Sequence, residues 1–102
     1  MLFRSERFDQ PLNNIPQELE ILKLYCARFN QDVSDLLDSL WELVIMSESF
    51  NQSLHKLPPY LTRLVIGSNV IKYTRDMLPE LPDCDFLEIW YQGKLIVSTL
   101  EA

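Results

Sequence analysis

Apolar residues return along this chain at two spacings, every second residue within short segments and every twenty-first residue between those segments. The short spacing is that of a β-strand with one buried face. It predicts strands from Glu20 to Leu24, Trp41 to Ile45 and Thr62 to Ile66, with Leu22, Leu43, Leu64 and Leu87 inward beside Leu24, Ile45, Ile66 and Ile89. The long spacing is a repeat. At an offset of 21, Phe8-Asp9-Gln10 lies over Phe29-Asn30-Gln31 and Phe50-Asn51-Gln52, and the columns continue through Leu12/Val33/Leu54, Ile15/Leu36/Leu57 and Leu19/Leu40/Leu61.

One stretch carries a competing pattern: Val33, Leu36, Leu37, Leu40, Trp41 and Val44 are spaced as on an amphipathic helix. The sister units argue against a long helix there, because Pro11 and Pro16 in the first and Pro58 and Pro59 in the third would interrupt it. A single 3₁₀-like turn is still compatible with the pattern.

The fold class predicted is mainly β: a short leucine-rich-repeat-like solenoid of about four 21-residue rungs, with a parallel sheet and a C-terminal antiparallel hairpin. The single domain spans 1–102. It divides into a partial rung 1–7, repeats 8–28, 29–49 and 50–70, a degenerate repeat 71–91 and a last strand 94–100. In the degenerate unit Cys84 to Ile89 match Leu19 to Leu24 at an offset of 65, which places a two-residue insertion between Ile71 and Pro82. The chain opens inside the strand of an incomplete unit, without a dedicated N-terminal cap. Apolar segments on either side of Gln92-Gly93 predict the hairpin, which protects the edge of the parallel sheet. Phe8, Phe29 and Phe50 are expected to stack on the wall opposite the strands, and Asp9, Asn30 and Asn51 to satisfy backbone groups at the corners.

Composition narrows the functional classes. With 15 acidic and 9 basic residues the formal charge is −6 and no Lys/Arg cluster stands out, which argues against nucleic acid. The N-terminal Met1 to Arg7 lacks the order of a signal peptide and the longest apolar run is Leu43 to Met46, so no membrane association is expected and the chain is placed in the cytoplasm. Cys26 and Cys84 lack metal or redox spacing and are expected to be thiols.

Catalysis is not expected. His55, the only histidine, stands alone in a corner segment. No nucleophile elbow or phosphate loop is present, and the paired carboxylates Asp35/Asp38 and Asp83/Asp85 fall on turns or solvent faces. No cofactor and no metal are predicted.

The FNQ triplets, followed by Ile15-Pro16 or Leu57-Pro58 and then L-x-x-L-x-L, resemble the FNIP repeat, a leucine-rich-repeat relative abundant in social amoebae and in giant viruses of amoebae. The resemblance covers residues 8–71 well and 78–90 loosely. It implies a protein-binding array inside the cell, in the host cytoplasm if the chain is viral. Many FNIP proteins carry an F-box, for which the seven residues before Phe8 are too few. Phe29-Asn30-Gln31-Asp32 is also similar to a bacterial surface repeat, whose W-D-V-S element is missing here.

Strand residues between the buried leucines form three outward rows: Ile21/Glu42/Arg63/Phe86, Lys23/Val44/Val65/Glu88 and Tyr25/Met46/Gly67/Trp90. A solvated face would be mostly charged; this one has an apolar centre with charges at its margins, the composition of an interface. The predicted partner-binding residues are Tyr25, Glu42, Val44, Met46, Arg63, Val65, Glu88 and Trp90. The partner is a protein of unknown identity. The alternatives are a self-associating structural protein, such as a homodimer, and an acidic inhibitor or decoy of a basic surface.

Overall fold

The computed structural model describes residues 2–5, 7–10, 16, 18–33, 39–54, 56–81 and 84–98, with the main chain alone at Phe3. Leu12, Ile15, Leu36, Leu37, His55, Asp35, Asp38, Asp83 and the last two residues of the predicted strand 94–100 lie outside them. The described residues form six strands: β1 Leu2–Arg4, β2 Ile21–Tyr25, β3 Glu42–Met46, β4 Arg63–Ser68, β5 Phe86–Tyr91 and β6 Lys94–Ser98. They make one sheet in chain order. β1 to β5 are parallel and β6 is antiparallel to β5, so the chain is a short β-solenoid closed by a hairpin.

The register follows the 21-residue columns. Leu22 pairs with Leu43, Leu43 with Leu64 and Leu64 with Leu87, and Leu24, Ile45, Ile66 and Ile89 continue in the same way. All eight are buried, seven of them completely. In a sheet of this kind each leucine touches its equivalent on the next strand, at about 4.8 Å strand spacing. Every rung therefore completes the core of its neighbours and none buries its apolar side alone.

The three repeat strands begin one residue later than the alternation predicts. The cause is a corner that recurs: the carbonyl of Glu20 accepts from the amides of both Trp41 and Glu42, that of Trp41 from Thr62 and Arg63, and that of Thr62 from Asp85 and Phe86. A carbonyl shared by two successive donors belongs to a turn, and the ladder starts after it.

On the wall facing the sheet, Phe8, Phe29 and Phe50 stack nearly parallel at centroid distances of 5.9 and 6.1 Å. Tyr73 continues the pile, tilted by 39° at 6.0 Å from Phe50. This narrows the placement of the insertion. Tyr73 to Leu87 is the same step as Phe50 to Leu64, so the two extra residues lie between Ser68 and Tyr73, at the start of the span that the sequence reading opens at Ile71. Tyr73 is 1% exposed, and its hydroxyl donates to the Gln52 carbonyl at 2.6 Å. Burial pushes its phenol up to about 12.

An Asx ladder runs beside the aromatic pile. Asp9 Oδ1 accepts from the Asn30 amide at 2.9 Å and from Gln31 Nε2 at 2.7 Å. Asn30 Oδ1 accepts from the Asn51 amide and from Gln52 Nε2, both at 3.0 Å. Each triplet thus hands the same two acceptor contacts to the triplet after it, which explains why Phe, Asx and Gln recur as a unit.

A buried serine column closes the corner that follows the strands, next to the aromatic pile. Ser47 Oγ donates to the Phe29 carbonyl at 2.7 Å and Ser68 Oγ to that of Phe50 at 2.6 Å. Each hydroxyl also accepts an amide two residues on, from Ser49 or Val70, the local bond of a serine turn.

At the C-terminal end Gln92 and Gly93 both have positive φ, 51° and 78°, as a two-residue turn of the primed type requires. Ile89 pairs with Val97 and Trp90 with Leu95, so Ile96 is the extra residue of a bulge. The helical content among the described residues is the 3₁₀ turn Arg75–Met77. No helix there is long and apolar enough to cross a membrane.

Candidate functional site

The outward face of the sheet is set by the same pairing that builds the core. Glu42 sits beside Arg63 and Arg63 beside Phe86; Lys23, Val44, Val65 and Glu88 form the middle row; Tyr25, Met46, Gly67 and Trp90 form the third. All eight predicted residues come together around one open groove of about 230 Å³, and Lys23 joins them. Lys23 was legible in the middle row but not among the predicted set.

The valines are less accessible than alternation alone suggests. Val44 is 4% and Val65 8% exposed. Longer neighbours on the same face cover their flanks, so the pair forms a floor and the rim presents the contact atoms. An aspartate at either position would be buried among apolar groups, which makes substitutions on the rim the better probe of this surface.

The rim is tied down by its own contacts. Lys23 Nζ lies 3.2 Å from Glu42 Oε2 in a pair whose carboxylate side chain is 9% exposed. The Arg63 guanidinium carbon lies 4.4 Å from the Phe86 ring centroid, and that of Arg4 lies 5.4 Å from the Tyr25 centroid. Trp90 Nε1 donates to Glu88 Oε1 at 3.3 Å. The charged groups are thereby held over the valines in a fixed order across the strands: Lys23 on β2, Glu42 on β3, Arg63 on β4 and Glu88 on β5.

The third row borders a second hollow, about 460 Å³, that opens where the parallel strands end. Its further lining comes from Ala27, Ser47, Glu48, Ser68, Asn69, Gln92 and Gly93. These corner residues carried no sequence signal as a site, since their columns serve the turns. Tyr25, Met46 and Trp90 line both hollows. Met46 divides them, folded over the backbone of Gly67, the glycine of its row.

This face offers an apolar floor, aromatic and methionine side chains, and charges of both signs. Among the described residues no group of three or more His, Cys, Asp or Glu is placed to hold a metal ion. Neither Cys26 nor Cys84 is in a disulfide. Burial pushes the Cys84 thiol up, away from the thiolate form that nucleophilic chemistry uses.

Comparison with family models, with curated proteins and with solved structures gives no match to this chain.

Proposed function

We propose that this chain is a non-catalytic protein-interaction module that binds through the outward face of its parallel strands. The observation that carries this reading is the single groove that gathers Tyr25, Glu42, Val44, Met46, Arg63, Val65, Glu88 and Trp90. Such a surface combines an apolar centre with Trp, Tyr, Met and Arg, the residue types enriched where proteins meet. The flat sheet and its shallow hollows suit a folded surface better than a small metabolite, which is usually enclosed in a deep cleft.

The family reading proposed with it is an array of FNIP type, supported by the Phe stack and the Asx ladder that give the FNQ triplet its structural reason. Two cysteines outside any disulfide favour a reducing compartment, in keeping with the cytoplasm, the host's if the chain is viral.

The test is retention of proteins, an untagged copy of the chain included, on immobilised wild type and on the rim variants Tyr25→Ser and Arg63→Glu. A partner retained by wild type and lost from both is expected. Lys56→Glu, outside the face, serves as control. Retention that ignores both rim changes would remove the sheet face as the binding surface.

A further inference from the structure

We propose that the partner of this face is a second copy of the chain, related by a twofold axis that lies between the two sheets, parallel to the strands, and passes between β3 and β4. The inference rests on the sheet face being the binding surface, and it follows from the order of charges and sizes across the strands.

A face-to-face pair related by a twofold needs an axis in the plane between the sheets. If the axis runs across the strands, each strand meets its own equivalent. Lys23 then lies over Lys23 and Glu88 over Glu88, like charges whose juxtaposition in an interface costs several kcal/mol. If the axis runs along the strands, heights along the strand are kept and strand order is reversed. β2 then meets β5 of the second copy, and β3 meets β4.

Every row is self-complementary under the second operation. In the middle row Lys23 meets Glu88 of the second copy and Val44 meets Val65. In the first, Glu42 meets Arg63 and Ile21 meets Phe86. In the third, Tyr25 meets Trp90, and the Met46 position meets Gly67, so that the two thioethers, each folded over its own Gly67, come together beside the axis. The register that fixes these positions in one chain fixes them in both. Aligned sheet packing, about 10 Å apart and crossing at about 30°, keeps the pairs nearest the axis opposed most closely. Glu42, already paired with Lys23, gains a second cation, and the valine floor is closed from water.

Lys23 and Glu88 stand three strands apart in one chain, about 14 Å at normal strand spacing, beyond direct contact. That separation makes them the test. In sedimentation of the full chain from micromolar to millimolar concentration, wild type is expected to dimerise reversibly. Glu88→Lys and Lys23→Glu, each folded by circular dichroism, should each lose self-association by at least about a hundredfold, because every homodimer then holds two like-charge contacts. An equimolar mixture of the two should recover the dimer. The glutamate introduced in one chain then faces the lysine introduced in the other, and the Lys23 and Glu88 that remain face each other.

A second measurement needs no variant: carbodiimide coupling of wild type should join Lys23 to Glu88 between chains. Finding Lys23 coupled to Glu42 alone overturns the arrangement. A mixture that stays monomeric also overturns it. A wild type that is monomeric throughout removes the second copy but leaves the face open to a different protein. A dimer that survives both charge reversals shows that another surface is used and overturns the arrangement, while the rim variants Tyr25→Ser and Arg63→Glu still decide whether this face binds a different protein.

Discussion

Met46 occupies the space that a side chain at position 67 would need: a Cβ built on Gly67 would come within 2.6 Å of the Met46 sulfur and 2.9 Å of its terminal methyl, with Trp90 Cβ at 3.5 Å. The close neighbour is the far end of a flexible thioether, free to take another rotamer, and the Gly67 backbone has no need of positive φ. Gly67→Ala should therefore fold, with a stability change within about 1 kcal/mol, because the lost freedom of the unfolded chain offsets the displacement. The thioether must then swing away from Gly67, and the divide between the two hollows moves with it. Chemical denaturation reads the first effect and Trp90 fluorescence the second; an unfolded variant would show that Met46 has nowhere else to go.

Asn30 Oδ1 receives two donors from the rung after it. Asn30→Ala leaves both without that acceptor, one at an exposed and one at a partly buried site, a loss of about 1 kcal/mol. Asn30→Asp keeps the acceptor, as Asp9 does for the previous rung, and should remain within about 0.5 kcal/mol of wild type. Urea midpoints of the two variants check the difference. Equal losses would mean that the side-chain acceptor is unimportant to the corner.

Tyr73 links the aromatic pile to a pH dependence. Its folded pKa, about 12, lies above the unfolded value of 10.0, so the folded state holds the phenolic proton more tightly. The stability this contributes is complete below pH 10.0 and is lost as pH rises from there toward about 12. Tyr73→Phe should remove that alkaline loss. It should also cost about 1 kcal/mol at neutral pH, from the hydroxyl bond to the Gln52 carbonyl. Denaturation midpoints compared at neutral and alkaline pH test both statements, and a Phe variant with the same alkaline decline would assign it to other groups.

How far the architecture can be read in advance depends on whether a residue repeats its column and its chemistry together. The leucine columns and the Phe and Asx positions do both, so strand number, parallel order and register follow from a self-alignment. Tyr73 does neither: two inserted residues shift it and a hydroxyl disguises it, so its place in the stack emerges only from geometry. Ser47 and Ser68 share a column with Cys26. Their polar character masks that they are buried, because a serine satisfied by a carbonyl of the preceding rung and an amide two residues on needs no apolar signature.

The outward face is legible as three rows, since alternation fixes which side chains leave the core. Alternation does not report how far a neighbour leans. The depth of Val44 and Val65 comes from the length of the side chains around them, and the second hollow comes from corners whose sequence is spent on turns.

The Asx ladder has a consequence for how such a chain changes over time. Asp9 and Asn30 each present a side-chain oxygen to the amide and the glutamine of the next triplet, and Phe8, Phe29 and Phe50 present the same ring. A middle rung is thus a cassette with matching plugs above and below. Insertion or deletion of a whole 21-residue unit would lengthen or shorten the stack by one rung without remaking the end that Tyr73 and the hairpin form. The charge order on the outer face does not share that freedom. Adding one cassette would move Lys23 and Glu88 out of symmetric positions about the centre of the sheet, so the proposed pairing of two copies is tied to the number of rungs.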